Sequence, residues 1–312
     1  MEQNTPAPDL PDETLVDSLL MRTSRTFALN IPLLPGALRQ DVGIAYLLFR
    51  AADTIEDGSQ VDRRTKRRLF ERFITSVETS DCDAFCEFAD QHPPHDDRDC
   101  QELLLELPRL LVMLGDGDSS ECIRRLVIKS AKGMRRFTSA GGQRGNVRLK
   151  SLLELRQYCY FVAGIVGELL TELFVLVDDQ LAGCRHELME LAPLFGEGLQ
   201  LVNILKDSGA DADEGRRFVH PTVPREYLFD LARGDLWYAG QYIKALETVG
   251  ADRGVVQFAQ LPVSLATATL ECVEVHGPGS KISREQLGEI LASVLQSDES
   301  ESSAVTNAKQ ID

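Results

Sequence analysis

The sequence is poor in positive charge. Its 33 lysine and arginine residues are outnumbered by 49 aspartate and glutamate residues, which gives a net charge of −16 at pH 7. A protein that binds nucleic acid needs a basic surface, so we exclude nucleic acid as a partner. An acidic protein can still bind an anionic substrate when metal ions lie between the two.

Cysteine motifs are lacking as well. The seven cysteines are odd in number and show no Cys-x-x-Cys spacing, so they do not indicate a disulfide framework. The chain begins without the basic segment and apolar run of a secretory signal. We therefore expect reduced thiols in a cytoplasmic protein, and we expect that protein to be a monomer.

Long uncharged apolar runs are also absent. The most apolar stretch, 160–177, carries Glu168 and Glu172, and the chain ends in the polar segment SDESESSAVTNAKQID. These features fall short of a transmembrane anchor. A lipid-like substrate or product would still allow peripheral contact with a membrane surface.

Alternating strand patterns and internal repeats are missing too. Helical periodicity recurs instead along most of the 312 residues, which predicts an all-α fold. We expect a single domain over residues 12–297. The flanking segments, 1–11 and 298–312, are polar and are predicted to be disordered.

Two polar stretches are interpreted as structural. Residues 61–73, VDRRTKRRLFERF, are basic enough for a phosphate patch, but a solvated amphipathic helix is the preferred interpretation. His92 and His95 are spaced loosely like metal ligands within 79–100, where helical periodicity lapses. No cluster of Cys or His supports them, so we predict a surface loop there.

A polar face recurs on the helix predicted over residues 200–211, QLVNILKDSGAD. Asn203, Asp207 and Asp211 follow one another at four-residue intervals, so their oxygens share one side of the helix. Apolar residues between them anchor the segment, which would aim these oxygens into the protein or a cleft and favour Mg²⁺. Lys206 is a candidate phosphate contact. Taken alone, the segment could equally be a polar stripe on a solvated helix.

The same spacing occurs far upstream, in YLLFRAADTIEDG. Asp53 and Asp57 are four residues apart there, and Arg50 stands one turn before Asp53. Two such helices can face each other and hold several Mg²⁺ ions around one diphosphate. The metal ions and basic residues would stabilise the negative charge that departs when an allylic diphosphate ionises.

Tyr158 lies in a long apolar helix predicted over 149–176. The alternative to a catalytic role is a core tyrosine with a satisfied hydroxyl. Gly164 and Gly167 follow it, and with Ala163 they would permit close helix packing or leave room for a bound chain.

Four ordered motifs together resemble those of the squalene and phytoene synthase family of head-to-head prenyltransferases. They are SRTF at 24–27, YLLFRAADTIED at 46–57, YCYFVAG at 158–164, and QLVNILKDSGAD at 200–211 followed by GRRF at 215–218. The resemblance runs from Ser24 to Lys281, and residues 258–270 look more like the squalene synthase branch. It implies an isoprenoid synthase fold of helices packed around a central cavity, with both aspartate motifs at its mouth.

The resemblance also implies the roles of individual residues. The family's Mg²⁺-binding aspartates match Asp53, Asp57, Asp207 and Asp211, and the tyrosine of its first half-reaction matches Tyr158. Its substrate-handling positions match Ser24, Arg25, Tyr46, Arg50, Gln200, Asn203 and Arg216, and Lys206 stands where arginine is common. Candidates for an apolar cavity lining are Phe27, Phe49, Phe161 and Phe258, each of which could simply be core.

Two positions bear on how fully the family's chemistry carries over. Ala210 replaces a glutamate usual in the second aspartate motif, but the two outer aspartates, Asp207 and Asp211, are kept, so we expect metal binding to persist with altered affinity. Lys281, in SKISR, resembles a short segment implicated in NADPH binding.

The reaction implied is the condensation of two farnesyl diphosphates, through presqualene diphosphate, to a C30 product. Reduction of the last cation by NADPH gives squalene, proton loss gives dehydrosqualene, and capture by water gives hydroxysqualene. Phytoene synthesis is a further alternative within the family. Outside it, a di-iron carboxylate bundle needs Glu-x-x-His motifs, which the sequence lacks. A non-catalytic helical scaffold derived from the family stays open.

Overall fold

The computed structural model describes residues 12–140 and 145–295, which are almost entirely helical. Within these ranges no strand occurs apart from one isolated parallel bridge between Arg148 and Arg217. The prediction of an all-α fold is therefore confirmed. The predicted disordered segments, 1–11 and 298–312, lie outside the described residues.

The first of two compact units extends to Arg135 and is organised around helix α3 (Gly36–Asp57). The buried side chains of α3 lie around most of its circumference, as expected for a helix at the centre of a bundle. The other helices of this unit are α1 (Asp12–Thr23), α2 (Arg25–Asn30), α4 (Arg63–Thr79), α5 (Asp83–Gln91), α6 (Arg98–Leu105), α7 (Leu107–Leu114) and the first part of α8 (Asp118–Ala140).

The predicted loop over 79–100 is wrong in part, because it contains helix α5. Phe85 and Ala89, four residues apart, bury one side of this short helix, and the Phe85 ring packs on Phe73 with centroids 5.8 Å apart. Two buried positions are too few to register as periodicity. His92 and His95 follow α5, each half-buried.

Helix α4 confirms the amphipathic helix predicted from the basic stretch, with one exception. Lys66 is 1% exposed and lies on the buried face with Leu69, Phe70 and Phe73. Spacings of three, four and seven residues put these positions on one side of the helix. The basic residue on the apolar stripe is therefore a core residue and does not belong to the solvated face.

The second unit begins at Arg136, within α8. Its remaining helices are α9 (Leu152–Cys159), α10 (Ile165–Val177), α11 (Arg185–Asp213), α12 (Arg225–Val249), α13 (Arg253–His276) and α14 (Arg284–Leu295). Helix α11 packs against α10, α12 and α13 and passes through Pro193 without a break. That both units form one domain stays a prediction.

A π-helical turn at Tyr160–Gly164 joins α9 to α10, where a single long helix was predicted. A Cβ atom added to Gly167 would lie 1.9 Å from the carbonyl oxygen of Ala192, and one added to Gly196 would lie 2.0 Å from that of Ala163. Gly167 of α10 and Gly196 of α11 therefore let the backbone of α11 approach closely to that of α10 and the preceding π-helical turn. Of the two alternatives left open by the sequence, the packing one is observed.

Two helical stretches, Leu152–Val177 and Asp179–Asp213, are long and apolar enough to cross a membrane by length and composition. Core helices of soluble proteins pass the same test, so these stretches are weak indicators of a membrane span. The absence of a transmembrane anchor stays a prediction.

Candidate active site

The first aspartate pair lies on the last two turns of α3. Asp53 and Asp57 are half-buried, and the neighbouring Thr54 and Ile55 are fully buried, which anchors the turn that carries the carboxylates. Burial raises the pKa of Asp53 to about 7; Arg50 opposes this shift and the like charge of Asp57 adds to it. The pair therefore holds negative charge at high cost and would be stabilised by a cation.

Arg50 is the cation beside this pair. Burial lowers its pKa, but the negative charges around it, Asp53 foremost, outweigh that effect and raise it overall. Its Nη2 lies 3.9 Å from the Cys100 sulfur, and its buried Nε has no hydrogen-bond partner within the described part of the chain. An arginine with donors that the protein does not satisfy is suited to an anionic ligand.

Three other predicted residues of the first unit are connected to Arg50. The Tyr46 and Phe27 rings stack with centroids 4.6 Å apart. Burial raises the pKa of Tyr46, while a hydrogen bond with Ser24 lowers it. The Ser24 hydroxyl also caps α2 by accepting from the Phe27 amide at 3.4 Å. The structure thus brings together Ser24, Phe27, Tyr46, Arg50 and Asp53. Helix α2 contains Arg25, whose side chain lies outside the description.

The second aspartate segment occupies the C-terminal half of α11 and has a different character. Asn203 and Asp207 are exposed, and Gln200 and Lys206 are half-buried. The Lys206 Nζ atom lies 3.3 Å from an oxygen of its neighbour Asp207. A pair this open to water is weak and is easily replaced by a ligand.

Asp211, one turn further on, is 7% exposed and bound to Arg216. The Arg216 Nη2 atom lies 3.0 Å from Asp211 Oδ1 and 2.8 Å from a carboxylate oxygen of Glu214. The Arg216 backbone amide also donates to the Asp211 carbonyl at 2.8 Å. The turn after α11 therefore folds Arg216 back onto the last aspartate of the motif.

A second turn contacts α11 at the level of Asp207. The Gly279 amide donates to the Lys206 carbonyl at 2.7 Å, and Gly279 has a φ of +82°, which favours glycine. Lys281 follows two residues later and is exposed. The structure thus places the predicted NADPH contact on a turn attached to the second aspartate segment.

Tyr158 is 3% exposed and enclosed by aromatic rings. Its ring lies 5.5 Å from Phe137 and 5.0 Å from Phe218, between centroids. Phe161 is half-buried, 6.4 Å from Phe137. Two other candidates for the lining of a substrate cavity, Phe49 and Phe258, are buried at 6% and 2% exposure and so are less accessible to a ligand.

A charged cluster in the second unit was not predicted from the sequence. Arg156, on α9, forms ion pairs with Glu197 of α11 at 3.2 Å and with Asp235 of α12 at hydrogen-bonding distance. Both carboxylates are buried, at 6% and 4% exposure. A glutamate between Gly196 and Gly198, in an otherwise apolar turn, was the available signal.

In residues 12–140 and 145–295, no group of three or more His, Cys, Asp or Glu side chains is arranged to hold a metal ion. All seven cysteines are free in the structure. That the two aspartate pairs share metal ions stays a prediction.

The chain is similar to known proteins over most of its length. It is 29% identical to a probable squalene synthase of Neurospora crassa over 80% of this chain and 54% of that protein. It is 32% identical to a squalene synthase of Candida albicans over 72% of this chain and 49% of the relative. The chain thus spans about half the length of these curated relatives.

The fold has a solved counterpart. A structure of TcSQS in complex with the ligand E5700 superposes with a TM-score of 0.69 at 23% identity, covering 89% of this chain and 84% of that one. This similarity confirms the predicted isoprenoid synthase fold. The family model for squalene/phytoene synthase matches residues 20–222, which include both aspartate segments, Tyr158 and Arg216. The chain therefore belongs to the squalene/phytoene synthase family.

Proposed function

We propose that the protein is a Mg²⁺-dependent prenyltransferase that joins two farnesyl diphosphates head to head, through presqualene diphosphate, and releases squalene with NADPH as the reductant. The observation that carries this proposal is the pair Asp53 and Asp57 at the end of α3, with Arg50 one turn before it. Curated relatives named squalene synthase support the choice of reaction.

The donor set fits Mg²⁺. Carboxylate oxygens are the ligands this ion prefers, and because burial raises the pKa of Asp53 to about 7, a bound cation would favour its ionised form. Asp53 and Asp57 would hold metal in the first unit, and Asp207 and Asp211 in the second. Bound Mg²⁺ would supply positive charge that stabilises a departing diphosphate.

The cations of the chain would bind the diphosphate directly. Arg50 has a buried Nε that finds no hydrogen-bond partner among residues 12–140 and 145–295, and Lys206 pairs only loosely with Asp207. Arg216 is held by Asp211 and Glu214, so its guanidinium is oriented before a ligand arrives. Preoriented donors stabilise developing charge without reorganising during the reaction, which is the main source of electrostatic catalysis.

Tyr158 would act on the prenyl chains and not on the diphosphate. The aromatic rings that contact Tyr158, those of Phe137 and Phe218, are apolar and would keep water away from a carbocation. The faces of aromatic rings also attract such a cation. The Tyr158 hydroxyl is our candidate to accept or relay the proton lost as the cyclopropane of presqualene diphosphate closes.

The reductive step rests on fewer residues. Lys281 is exposed, on the turn that donates to the Lys206 carbonyl, and its ammonium fits a phosphate of NADPH. NADPH would supply the hydride that converts the final cation to squalene. Without that hydride, proton loss would give dehydrosqualene and addition of water would give hydroxysqualene.

The test is to incubate the purified protein with farnesyl diphosphate and Mg²⁺, with and without NADPH, and to identify the hydrocarbon by mass. We expect squalene only when NADPH is present. A desaturated or hydroxylated C30 product in both reactions would overturn the reductive step and keep the condensation. No C30 product in either reaction would contradict the proposed function. Cytoplasmic location, monomeric state and peripheral membrane contact are further proposals.

A further inference from the structure

The end of α3, which carries Asp53 and Asp57, is held by a buried lysine from α4. Lys66 is 1% exposed, and its Nζ atom donates to the backbone carbonyl of Glu56 at 2.6 Å. Burying an ammonium is costly unless it is paired and hydrogen-bonded, so a lysine at this depth calls for an explanation. Apolar neighbours on the same face of α4 would accept a leucine or methionine in its place.

The carbonyl that Lys66 binds lies in the last turn of α3. The last four carbonyls of a helix have no donor within the helix, and the helix C-terminus carries partial negative charge. Glu56 lies between the two aspartates of the motif, next to Asp57. A charged donor at this carbonyl thus fixes the backbone from which the Asp57 side chain projects.

A second contact holds the same turn from another side. Gly58 follows Asp57, and a Cβ atom at this position would lie 2.5 Å from Pro94 Cβ and 2.8 Å from the Pro94 carbonyl oxygen. That carbonyl accepts the Gln60 amide at 3.1 Å, and Gln60 Nε2 donates to Asp96 at 2.6 Å. The end of α3 is therefore fixed against α4 and against the segment at 94–96.

We infer that Lys66 is a positioning residue: through the Glu56 carbonyl it sets the spacing of Asp53 and Asp57 and so the affinity of this pair for a divalent cation. The inference rests on the proposed function only in assuming that the pair binds metal. Groups that orient metal ligands usually change affinity about 10- to 100-fold when removed. Removing the positive charge of Lys66 would by itself strengthen cation binding, whereas removing its positioning role would weaken it. The direction of the change in metal affinity therefore distinguishes the two effects.

The experiment measures Mn²⁺ binding without substrate, from the loss of the free Mn²⁺ signal in electron paramagnetic resonance. Lys66→Met should weaken binding about tenfold, and Lys66→Arg, which keeps a charged donor, should restore most of it. The matched control is Lys132→Met, at an exposed lysine of α8, which should bind like the wild type. Unfolding temperature is recorded for each variant, since a merely structural role would lower it without changing the affinity of the folded protein.

A second variant covers the case in which Lys66→Met does not fold. Gly58→Ala displaces the same turn from the Pro94 side and should also weaken Mn²⁺ binding, by about threefold or more. Wild-type affinity in a folded Lys66→Met variant, or in Gly58→Ala if the first does not fold, overturns the inference, as does tighter binding in Lys66→Met. A wild type that binds no Mn²⁺ overturns the proposed function together with the inference.

Discussion

Asp53 and Asp207 each open a helical Asp-x-x-x-Asp segment, yet their surroundings differ in kind. Asp53 is half-buried, with a pKa raised to about 7 by burial and with Arg50 one turn away. Asp207 is exposed and pairs with the adjacent Lys206 at 3.3 Å. Equal spacing in the sequence therefore does not mean equal electrostatics, because the free energy of a carboxylate depends on how much water is left around it.

The second aspartates of the two segments differ in the same way, with the order reversed. Asp211 is 7% exposed and is compensated by Arg216, whereas Asp57 is half-buried. Arg50 thus offsets only part of the effect of burial on Asp53, whereas the second segment binds its buried carboxylate directly to an arginine. We expect metal binding to contribute most where the protein compensates least.

The largest expected effect is on kcat, and it should differ between the two aspartate segments. Asp53→Asn should lower kcat about a thousandfold, because it removes a charged ligand from a site shielded from water. Asp207→Asn should lower kcat about a hundredfold, since water can replace part of an exposed ligand. Both are measured as C30 product formed from farnesyl diphosphate at saturating Mg²⁺.

The control for this pair is Asp213→Asn, at an exposed aspartate of α11 beyond the motif, which should keep wild-type kcat. Equal losses at Asp53 and Asp207 would break the distinction between a buried and an open segment. If neither variant loses turnover, the aspartates are not catalytic and the scaffold interpretation gains support.

Arg216→Met should have the next largest effect, on stability. It leaves the Asp211 carboxylate buried without its arginine, which typically costs about 3 kcal/mol in the free energy of unfolding. Lys206→Met, which removes the partner of the exposed Asp207, should cost less than about 1 kcal/mol. Urea-induced unfolding followed by circular dichroism measures both. A comparable loss in the two variants would show that burial does not set the strength of these pairs.

The sequence sufficed for the helical fold and for the two aspartate segments because both depend on local spacing. Positions three and four residues apart share one side of a helix wherever that helix packs. The same reasoning could not decide that Asp53 is half-buried and Asp207 exposed, because burial depends on which other helices cover each turn. Identical spacing therefore concealed the main difference between the segments.

Contacts between residues far apart in the sequence also could not be predicted from local sequence patterns. Lys66 lies within the basic stretch that was predicted to form a solvated amphipathic helix, yet its spacing to Leu69, Phe70 and Phe73 marks the buried side. Glu197 gave no hint of Arg156 and Asp235, which come from helices 41 residues before and 38 residues after it. Tertiary contacts decide such partners, and one sequence does not reveal them.

Asp53→Asn should also raise the stability of the metal-free protein. The folded pKa of Asp53, about 7, lies above the unfolded value near 4, so the stability it contributes is fully present below pH about 4 and is lost as pH rises through 7. At pH 8 the free energy of unfolding of the variant should be about 2 kcal/mol higher than that of the wild type. Added Mg²⁺ should stabilise the wild type more than the variant.

The measurement is chemical unfolding at pH 5 and pH 8, with and without Mg²⁺. Asp207→Asn, at the exposed first aspartate of the second segment, is measured beside it for comparison. A wild type whose stability does not fall between pH 5 and pH 8 would contradict the raised pKa of Asp53.

Glu197→Gln should give the smallest change in the free energy of unfolding. It tests whether a buried carboxylate outside the aspartate segments also binds metal. Burial raises the pKa of Glu197 to about 7, Arg156 opposes this shift, and Asp235 adds to it. Its contribution to stability is therefore also lost as pH rises through 7, and the variant should be about 1 kcal/mol more stable at pH 8. Unlike Asp53, Glu197 is paired with an arginine at 3.2 Å, so Mg²⁺ should stabilise the variant and the wild type equally. A Mg²⁺ effect that is lost in Glu197→Gln would place this cluster, and not only the aspartate segments, among the groups that bind metal.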